Sequence, residues 1–401
     1  MKTSFKLFNL LISIFVASFF ILISSSDNYW INFWNFFNIP YQLPPFSDLD
    51  SIGRALLSFK EGYNPYLENP NDLSGGKYIY PKIWLHIFDL LNLQNQNNFK
   101  IFCFLIITLY FFSILEILSK TKNKLFLFIV LIFLFSKINL LLLERLNIDI
   151  VIFILSCLIL SYSKFYLKFL LYILSLNLKL YPLFSIFIFI ENKRRFYLTL
   201  LISILLFIIF KDQILLMKSN MVPYAMIIAY GFETLARGIY HYSTNINFLI
   251  NDENYIFFKN IVIFFGTIYT LIIFFINFKF GKKLIYSKLT YEETLFLLGG
   301  GIYIGTYLMT TNIDFRLIFL LLTIPMLIKL SKNLYIYIFI VCCLICMNGL
   351  VFETGNRYSI EYIIKAFFIH GMKFYIYTFI VYYFGVILNK FFTIKIPLLK
   401  I

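Results

Sequence analysis

An all-α, polytopic membrane protein is the fold class this sequence predicts, and three observations carry the prediction. Apolar residues make up 61% of the chain and charged residues 14%, where soluble domains carry about 25% charged residues. The apolar residues fall into long runs, near the ~20 needed to cross a bilayer's hydrocarbon. Lysine and arginine collect in every second connection between those runs.

Taken in order, the first run is 7–23, preceded by Lys2 and Lys6. It has the layout of a signal peptide but no small-x-small cleavage site before Asp27, so a retained first span is expected. Further runs lie at roughly 99–118, 125–143, 148–163, 165–178, 180–190, 196–210, 259–278, 293–311, 317–331, 334–351 and 366–388, about 12 spans in one transmembrane domain over 1–401. The run at 180–190 is short for a crossing, and Pro182 stands near its start. A broken or tilted helix packed among others is expected there.

With both termini in the cytoplasm and the spans alternating, the inner segments hold 19 lysines and arginines, from Lys2 to Lys400, against Glu191, Glu292 and Glu293. The outer segments hold 14 basic and 16 acidic residues. The net charge of +15 is therefore a topology signal, and it gives nucleic-acid binding no support. Five cysteines lie inside predicted spans, three of them as CCLIC at 342–346. They read as small residues on a lipid-embedded helix, and no secreted-type disulfide framework is visible.

Two long loops fall outside, at about 25–98 and 211–258, with shorter outer connections at ERLNID (144–149), around Lys179 to Pro182, at TNIDFR (311–316) and at ETGNRYSIE (353–361). Charges of mixed sign gather on this face. In the first loop, Trp30, Phe33, Trp34, Phe36 and Phe37 form an aromatic stripe suited to an interfacial helix. After the PPFS break, Ser47 or Asp48 is placed to cap a helix from Leu49 to about Lys60, which Gly62 ends. NPY (64–66) turns the chain, and a second amphipathic segment runs from Trp84 to Leu93 after the YPK corner.

The polar residues that interrupt these elements each carry two readings. Asp48 is a helix cap, or with Asp50 it is one of two carboxylates at a membrane surface, a general base or cation ligand. A metal would need more oxygen ligands than the loop places, so a base is favoured and no metal is assigned. Lys179 is a snorkelling end-of-span lysine, or it faces a polar cavity at a helix break. Arg316 pairs locally with Asp314, or it is free to bind; Arg145 and Asp149 flank Asn147 in the same way. Together the outer face offers a carboxylate, a lysine and two arginines. Cations near the headgroup plane suit a lipid-linked phosphate, and the carboxylate suits deprotonating a hydroxyl.

At DLDSIGRALLSFKEGYNPY (48–66), YPKIW (80–84), NID (147–149), KLYP (179–182) and DFR (314–316), the chain resembles polytopic glycosyltransferases of the GT-C fold. The similarity is greatest to the bacterial polyprenol-phosphate-dependent mannosyl- and arabinofuranosyltransferases. It covers roughly residues 48 to 316, in order. Many such enzymes carry aromatic residues shortly after the first aspartate, where this chain has Ile52 and Gly53, so the sugar and the acceptor stay open.

What the resemblance implies is a bacterial inner-membrane enzyme whose site lies on the outer face. It would transfer a sugar from a polyprenyl-phosphate donor to a glycolipid or glycan hydroxyl, with inversion. Asp48 would be the general base and Asp50 a supporting acid; Lys179, Arg316 and Arg145 would hold the donor phosphate. Tyr66, Tyr80, Asn147, Tyr181 and Asp314 would line the substrate. No cofactor is implied, in keeping with the lack of a glycine-rich phosphate loop in the inner segments. A transporter or flippase is the competing class; it predicts paired broken helices in two related halves, of which one break is visible here. A ligase or polymerase of lipid-linked glycans is a third.

Overall fold

The computed structural model describes residues 2–73, 75–220, 229–244, 253–280, 288–309, 312–330, 333–349 and 359–391. Most of the connection 353–361, the basic residues Lys282, Lys283, Lys332, Lys395 and Lys400, and parts of the 211–258 loop lie outside the described residues. The chain is almost wholly helical, about 79%.

Helix α1 (Lys2–Ile23) is followed by α2 (Asp27–Phe36), α3 (Ser47–Lys60) and α4 (Ile83–Leu90). These last three occupy the loop expected to carry interfacial helices. The aromatic stripe of α2 is directed differently from expectation: Trp30 and Trp34 are fully buried, and Tyr29 and Phe36 are exposed. Buried Leu49, Ile52 and Leu56 form one helical stripe on α3. Its start also differs. The residue before the helix is Phe46, in the left-handed region at φ 63°, and neither Ser47 nor Asp48 makes a capping hydrogen bond. Phe46 is held there by its buried ring, packed edge-on against Trp30 at 5.0 Å between centroids.

The long helix α5 (Gln96–Thr121) packs along α1. The apolar run at 125–143 is two helices, α6 (Lys124–Leu134) and α7 (Lys137–Arg145), bent by 55°. Ser136 makes the bend by capping α7 at Asn139 N–H (3.3 Å), and Lys137 donates to the Phe37 carbonyl of the first loop. Helices α8 (Asp149–Ser161) and α9 (Phe165–Leu178) follow, then a tight 3₁₀ segment at Tyr181–Phe189. Helix α10 (Lys193–Ile209) bends by 65° into α11 (Lys211–Asn220). So the 211–258 loop begins and largely continues as helix: strand β1 (Ala229–Tyr230) precedes α12 (Phe232–Thr244), and α13 (Glu253–Phe280) leaves it.

After α14 (Tyr291–Met309), strand β2 (Asn312–Ile313) pairs antiparallel with β1, Ala229 opposite Ile313. A second 3₁₀ segment, Asp314–Leu322, runs into α15 (Ile324–Lys329); α16 (Leu334–Met347) and α17 (Ile360–Leu388) complete the bundle. Among the described residues, four helices are long and apolar enough to cross a membrane: α1, α5, α13 and α17. Each bent pair as one span raises the number to six. Helices α8, α9 and α16 are apolar but only 13 or 14 residues long. At 1.5 Å per residue they reach about 20 Å, short of a ~30 Å hydrocarbon core.

Both 3₁₀ segments dock on the glycine-rich face of α14. A methyl group on Gly305 would lie 1.8 Å from the Phe184 ring, one on Gly301 2.3 Å from the Phe184 carbonyl oxygen, and one on Gly299 2.4 Å from the Phe319 carbonyl oxygen. Backbone meets backbone at Gly299 and Gly301, and a ring packs against Gly305, so larger residues cannot be accommodated without displacement. Residues assigned to the inner face also meet: Lys390 pairs with Glu293, Lys329 with Glu292 (2.5 Å), and Glu191 accepts from Leu289 N–H (2.5 Å).

Candidate functional site

The site is built where α3, the α7–α8 turn and the two 3₁₀ segments converge. Helix α7 ends at Leu146 in the left-handed conformation, φ 45°, which reverses the chain into α8. In that turn Asn147 works in both directions. Its Oδ1 accepts the Asp149 N–H (3.0 Å) and its Nδ2 donates to Asp48 Oδ2 (2.5 Å). Asp149 stands in the first turn of α8, where the helix dipole favours an anion.

Helix α9 stops at Leu178, and Lys179 is extended. The Leu178 carbonyl is taken by Trp84 Nε1 of the first loop (3.2 Å), which locks the break in position. The turn then presents Lys179 and Tyr181 to one oxygen of Asp149: the lysine ion-pairs with it, and the Tyr181 hydroxyl donates at 2.7 Å. The other oxygen faces Arg316 Nε at 3.6 Å, from the second 3₁₀ segment. Aromatic faces complete the shell. Lys179 lies 5.8 Å from the Tyr80 ring centre and 5.5 Å from that of Tyr181, and Arg316 lies 5.1 Å from Tyr181. One carboxylate thus serves two cations at a buried site, and the second negative charge is that of Asp48, which Lys179 also feels. Asp48 sits across the Asn147 amide from it.

These groups face a cavity of about 520 Å³. Asp48, Asn147, Asp149, Lys179, Tyr181 and Arg316 form a polar end, and Tyr78 and Tyr80 line it from the first loop. Phe207 of α10, Ile214, Leu215 and Met217 of α11, Met309 and Phe315 supply apolar walls. Helix α11 is tied over the loop: Gln213 donates to the Tyr66 hydroxyl (2.7 Å), and Asn220 donates to the carbonyls of Tyr66 (2.8 Å) and Tyr78 (3.2 Å). Burial pushes Asp48 above the ordinary 3.8, opposed by the Asn147 hydrogen bond and the nearby Arg145 and Lys179 charges.

Of the residues read from the sequence, Asp48, Tyr80, Asn147, Lys179, Tyr181 and Arg316 line this cavity together, and Asp149 joins them. Four do not line it. Asp50 turns to Arg54 one helical turn on (2.6 Å). Tyr66 is a supporting wall whose hydroxyl donates to the Tyr80 carbonyl (2.8 Å). Arg145 ion-pairs with Glu144 (2.8 Å) and approaches Ser47 Oγ (3.4 Å), beside Asp48.

Asp314 is placed differently from expectation. It neither pairs with Arg316 nor lines the cavity, because Lys373 of α17 takes both its oxygens at 2.8 and 2.7 Å, and Asp314 and Lys373 are both fully buried. The signal for Lys373 was present in the sequence: a lysine in the middle of the apolar run 366–388 needs a buried partner. Glu144, Lys373 and the α14 glycines were the residues sequence reasoning passed over. Comparison with known protein families, curated proteins and solved structures finds no match, so the site's geometry carries the functional reading.

Proposed function

We propose that the chain is a membrane glycosyltransferase of the GT-C kind, with about 12 crossings and its site at the outer face. It transfers a sugar from a polyprenyl-phosphate donor to a hydroxyl of a glycolipid or glycan acceptor. The observation that carries this reading is one cavity holding a carboxylate, Asp48, next to a cation-rich cluster, Lys179–Asp149–Arg316, with apolar walls alongside. A phosphate with a hydrocarbon tail and a sugar matches each part: two cations for the phosphate, whose charge grows as Asp48 is neutralised by the incoming proton, apolar residues for the tail, and a base for the attacking hydroxyl.

In this reaction the acceptor hydroxyl gives its proton to Asp48 as its oxygen bonds to the anomeric carbon. The bond from that carbon to the phosphate oxygen breaks with its electron pair, and the charge left on the phosphate is stabilised by Lys179 and Arg316. Attack and departure on opposite faces of the sugar give inversion. Burial suits Asp48 to the role, since a base holds its proton better when its own ionised form is less favoured. The test is transfer of radiolabelled sugar from a panel of polyprenyl-phosphate donors to membrane extracts by purified protein. Asp48→Asn is expected to lower the rate by about 10²- to 10⁴-fold at unchanged expression. Transfer at the wild-type rate by this variant rejects the reading.

One observation favours a transporter or flippase instead. Among the described residues two 3₁₀ segments, Tyr181–Phe189 and Asp314–Leu322, interrupt the helices; Lys179 just precedes the first and Arg316 lies in the second, and both meet Asp149, an arrangement akin to the half-helices of many carriers. Lipid-phosphate translocation in vesicles that persists in Asp48→Asn, with no sugar transfer by wild type, would select it.

A further inference from the structure

Glu144 is the other fully buried carboxylate near Asp48, and nothing in the transfer reaction uses it. Its two oxygens are held differently. Oε1 accepts the Gln42 N–H at 2.7 Å, and Oε2 ion-pairs with Arg145 Nε at 2.8 Å. Burial pushes Glu144 up to about 7, opposed by the Arg145 charge and the Gln42 N–H, so it carries its charge above that pH. Arg145 extends from there to Ser47 Oγ at 3.4 Å, at the first residue of α3, and its charge acts on Asp48, the next residue. The same corner is fixed from the other side by the left-handed Phe46, whose ring is packed on Trp30.

We infer that Glu144 is a positioning residue for the base: it anchors Arg145 against the start of α3 and sets how much positive charge Asp48 feels. The inference rests on Asp48 being the base of the proposed reaction, though the charge relation itself does not. The charged groups facing Asp48 are Arg145 at the end of α7, Asp149 at the start of α8 and Lys179 after α9, with Glu144 behind Arg145. Lys179 is already engaged by Asp149. Arg145 is therefore the cation whose effect on Asp48 a neighbouring carboxylate adjusts. Without Glu144, Arg145 is uncompensated, and Asp48 holds its proton less tightly.

The experiment reads the protonation of Asp48 directly, without substrate. Dicyclohexylcarbodiimide modifies protonated carboxyls in apolar surroundings, and peptide mass spectrometry of the full-length protein in detergent quantifies modification at Asp48 against pH. Glu144→Gln is expected to slow labelling of Asp48 roughly tenfold at a fixed, mildly alkaline pH, where Glu144 is ionised, the change expected from one unmasked neighbouring charge. Arg145→Gln is expected to speed it. In the Arg145→Gln background, adding Glu144→Gln is expected to slow labelling less than it does alone, because only the direct charge effect of Glu144 on Asp48 is then left. Labelling curves for Glu144→Gln that superimpose on wild type overturn the inference, as does a slowing that persists undiminished in the double variant. Should Glu144→Gln fail to fold, Glu144→Asp, which keeps the charge but shortens its reach to Arg145, replaces it. The same direction of change is expected, and an unmoved curve is equally fatal. A shifted curve in a protein that transfers no sugar would leave this charge relation standing and reject the proposed reaction instead.

Discussion

Two buried carboxylates in this protein each meet a lysine, and they do opposite things. Asp314 and Lys373 are both fully buried and ion-pair directly, with the lysine also donating to the Ala229 carbonyl at 3.0 Å. That pair joins β1, the start of the second 3₁₀ segment and α17, and it is closed to any ligand. Asp149 is also buried, but it is shared by Lys179 and Arg316, whose side chains keep 14% exposure and line the cavity. A closed, balanced pair is a joint. A carboxylate shared by two cations that line a cavity presents those cations to whatever enters it. Burial alone therefore does not distinguish structure from function in an apolar protein; the charge balance and the route to the cavity do.

The largest expected effect breaks the closed pair. Asp314→Asn leaves Lys373 buried without a charge partner and is expected to cost about 3–5 kcal/mol of stability, while Asp314→Leu with Lys373→Met recovers most of it. Thermal unfolding followed by size-exclusion chromatography checks this. A single variant as stable as wild type would mean the pair is no joint.

At the open cluster the expectation is reversed, with activity lost and folding kept. Arg316→Gln or Lys179→Gln leaves Asp149 one cation, so membrane insertion and melting should change little. Transfer should fall by about 10²- to 10³-fold, the scale of one lost transition-state donor. The swaps Arg316→Lys and Lys179→Arg keep charge but not geometry and should also impair transfer. Normal turnover in all four would return these residues to the status of anchors.

Gly305→Ala tests the frame that brings both cations to one carboxylate. The added methyl meets the Phe184 ring, and the displaced 3₁₀ segment is expected to lower stability by about 1–3 kcal/mol. Transfer should drop as Lys179 moves with it. Full stability and activity would show that the docking is not required.

The smallest effects concern the pH dependence set by Asp48 and the part played by Asp50. A base must be ionised to accept a proton, and burial holds Asp48 above the ordinary 3.8. Transfer should therefore rise with pH through a range higher than an exposed aspartate would give, and this acid limb should vanish in Asp48→Asn. Asp50→Asn should leave the limb and the rate nearly unchanged. Its ion pair with Arg54 is partly exposed, each side chain at 28%, and such pairs contribute about 0–1 kcal/mol. A collapse of transfer in Asp50→Asn alone would mean that the base has been misassigned.

Several of these features depend on local chemistry and were legible in the chain itself. Long apolar runs make helices because each must bond its own backbone in lipid. Pro182 lacks the N–H that a continuing helix would use, so the break after Leu178 was readable, as was the polar loop with its two amphipathic helices. The motif residues Asp48, Asn147, Lys179, Tyr181 and Arg316 were identified and do share one cavity. Ser136 and the (i, i+4) pair Asp50–Arg54 were equally local signals, there to be read.

Partnership was decided only in three dimensions. Asp48 and Asn147 are 99 positions apart and Asp314 and Lys373 are 59 apart. Hydropathy records that a charge in an apolar run needs a partner, but not which one. DFR therefore left a local pair as one of two readings, and packing sends its aspartate to α17 and its arginine to α8. The same holds for the spans. Composition shows which segments prefer lipid, whereas whether a run crosses, bends or tightens into a 3₁₀ turn depends on what it packs against. Here that is the α14 glycines, whose missing side chains let two backbones approach and bring Lys179 and Arg316 to Asp149.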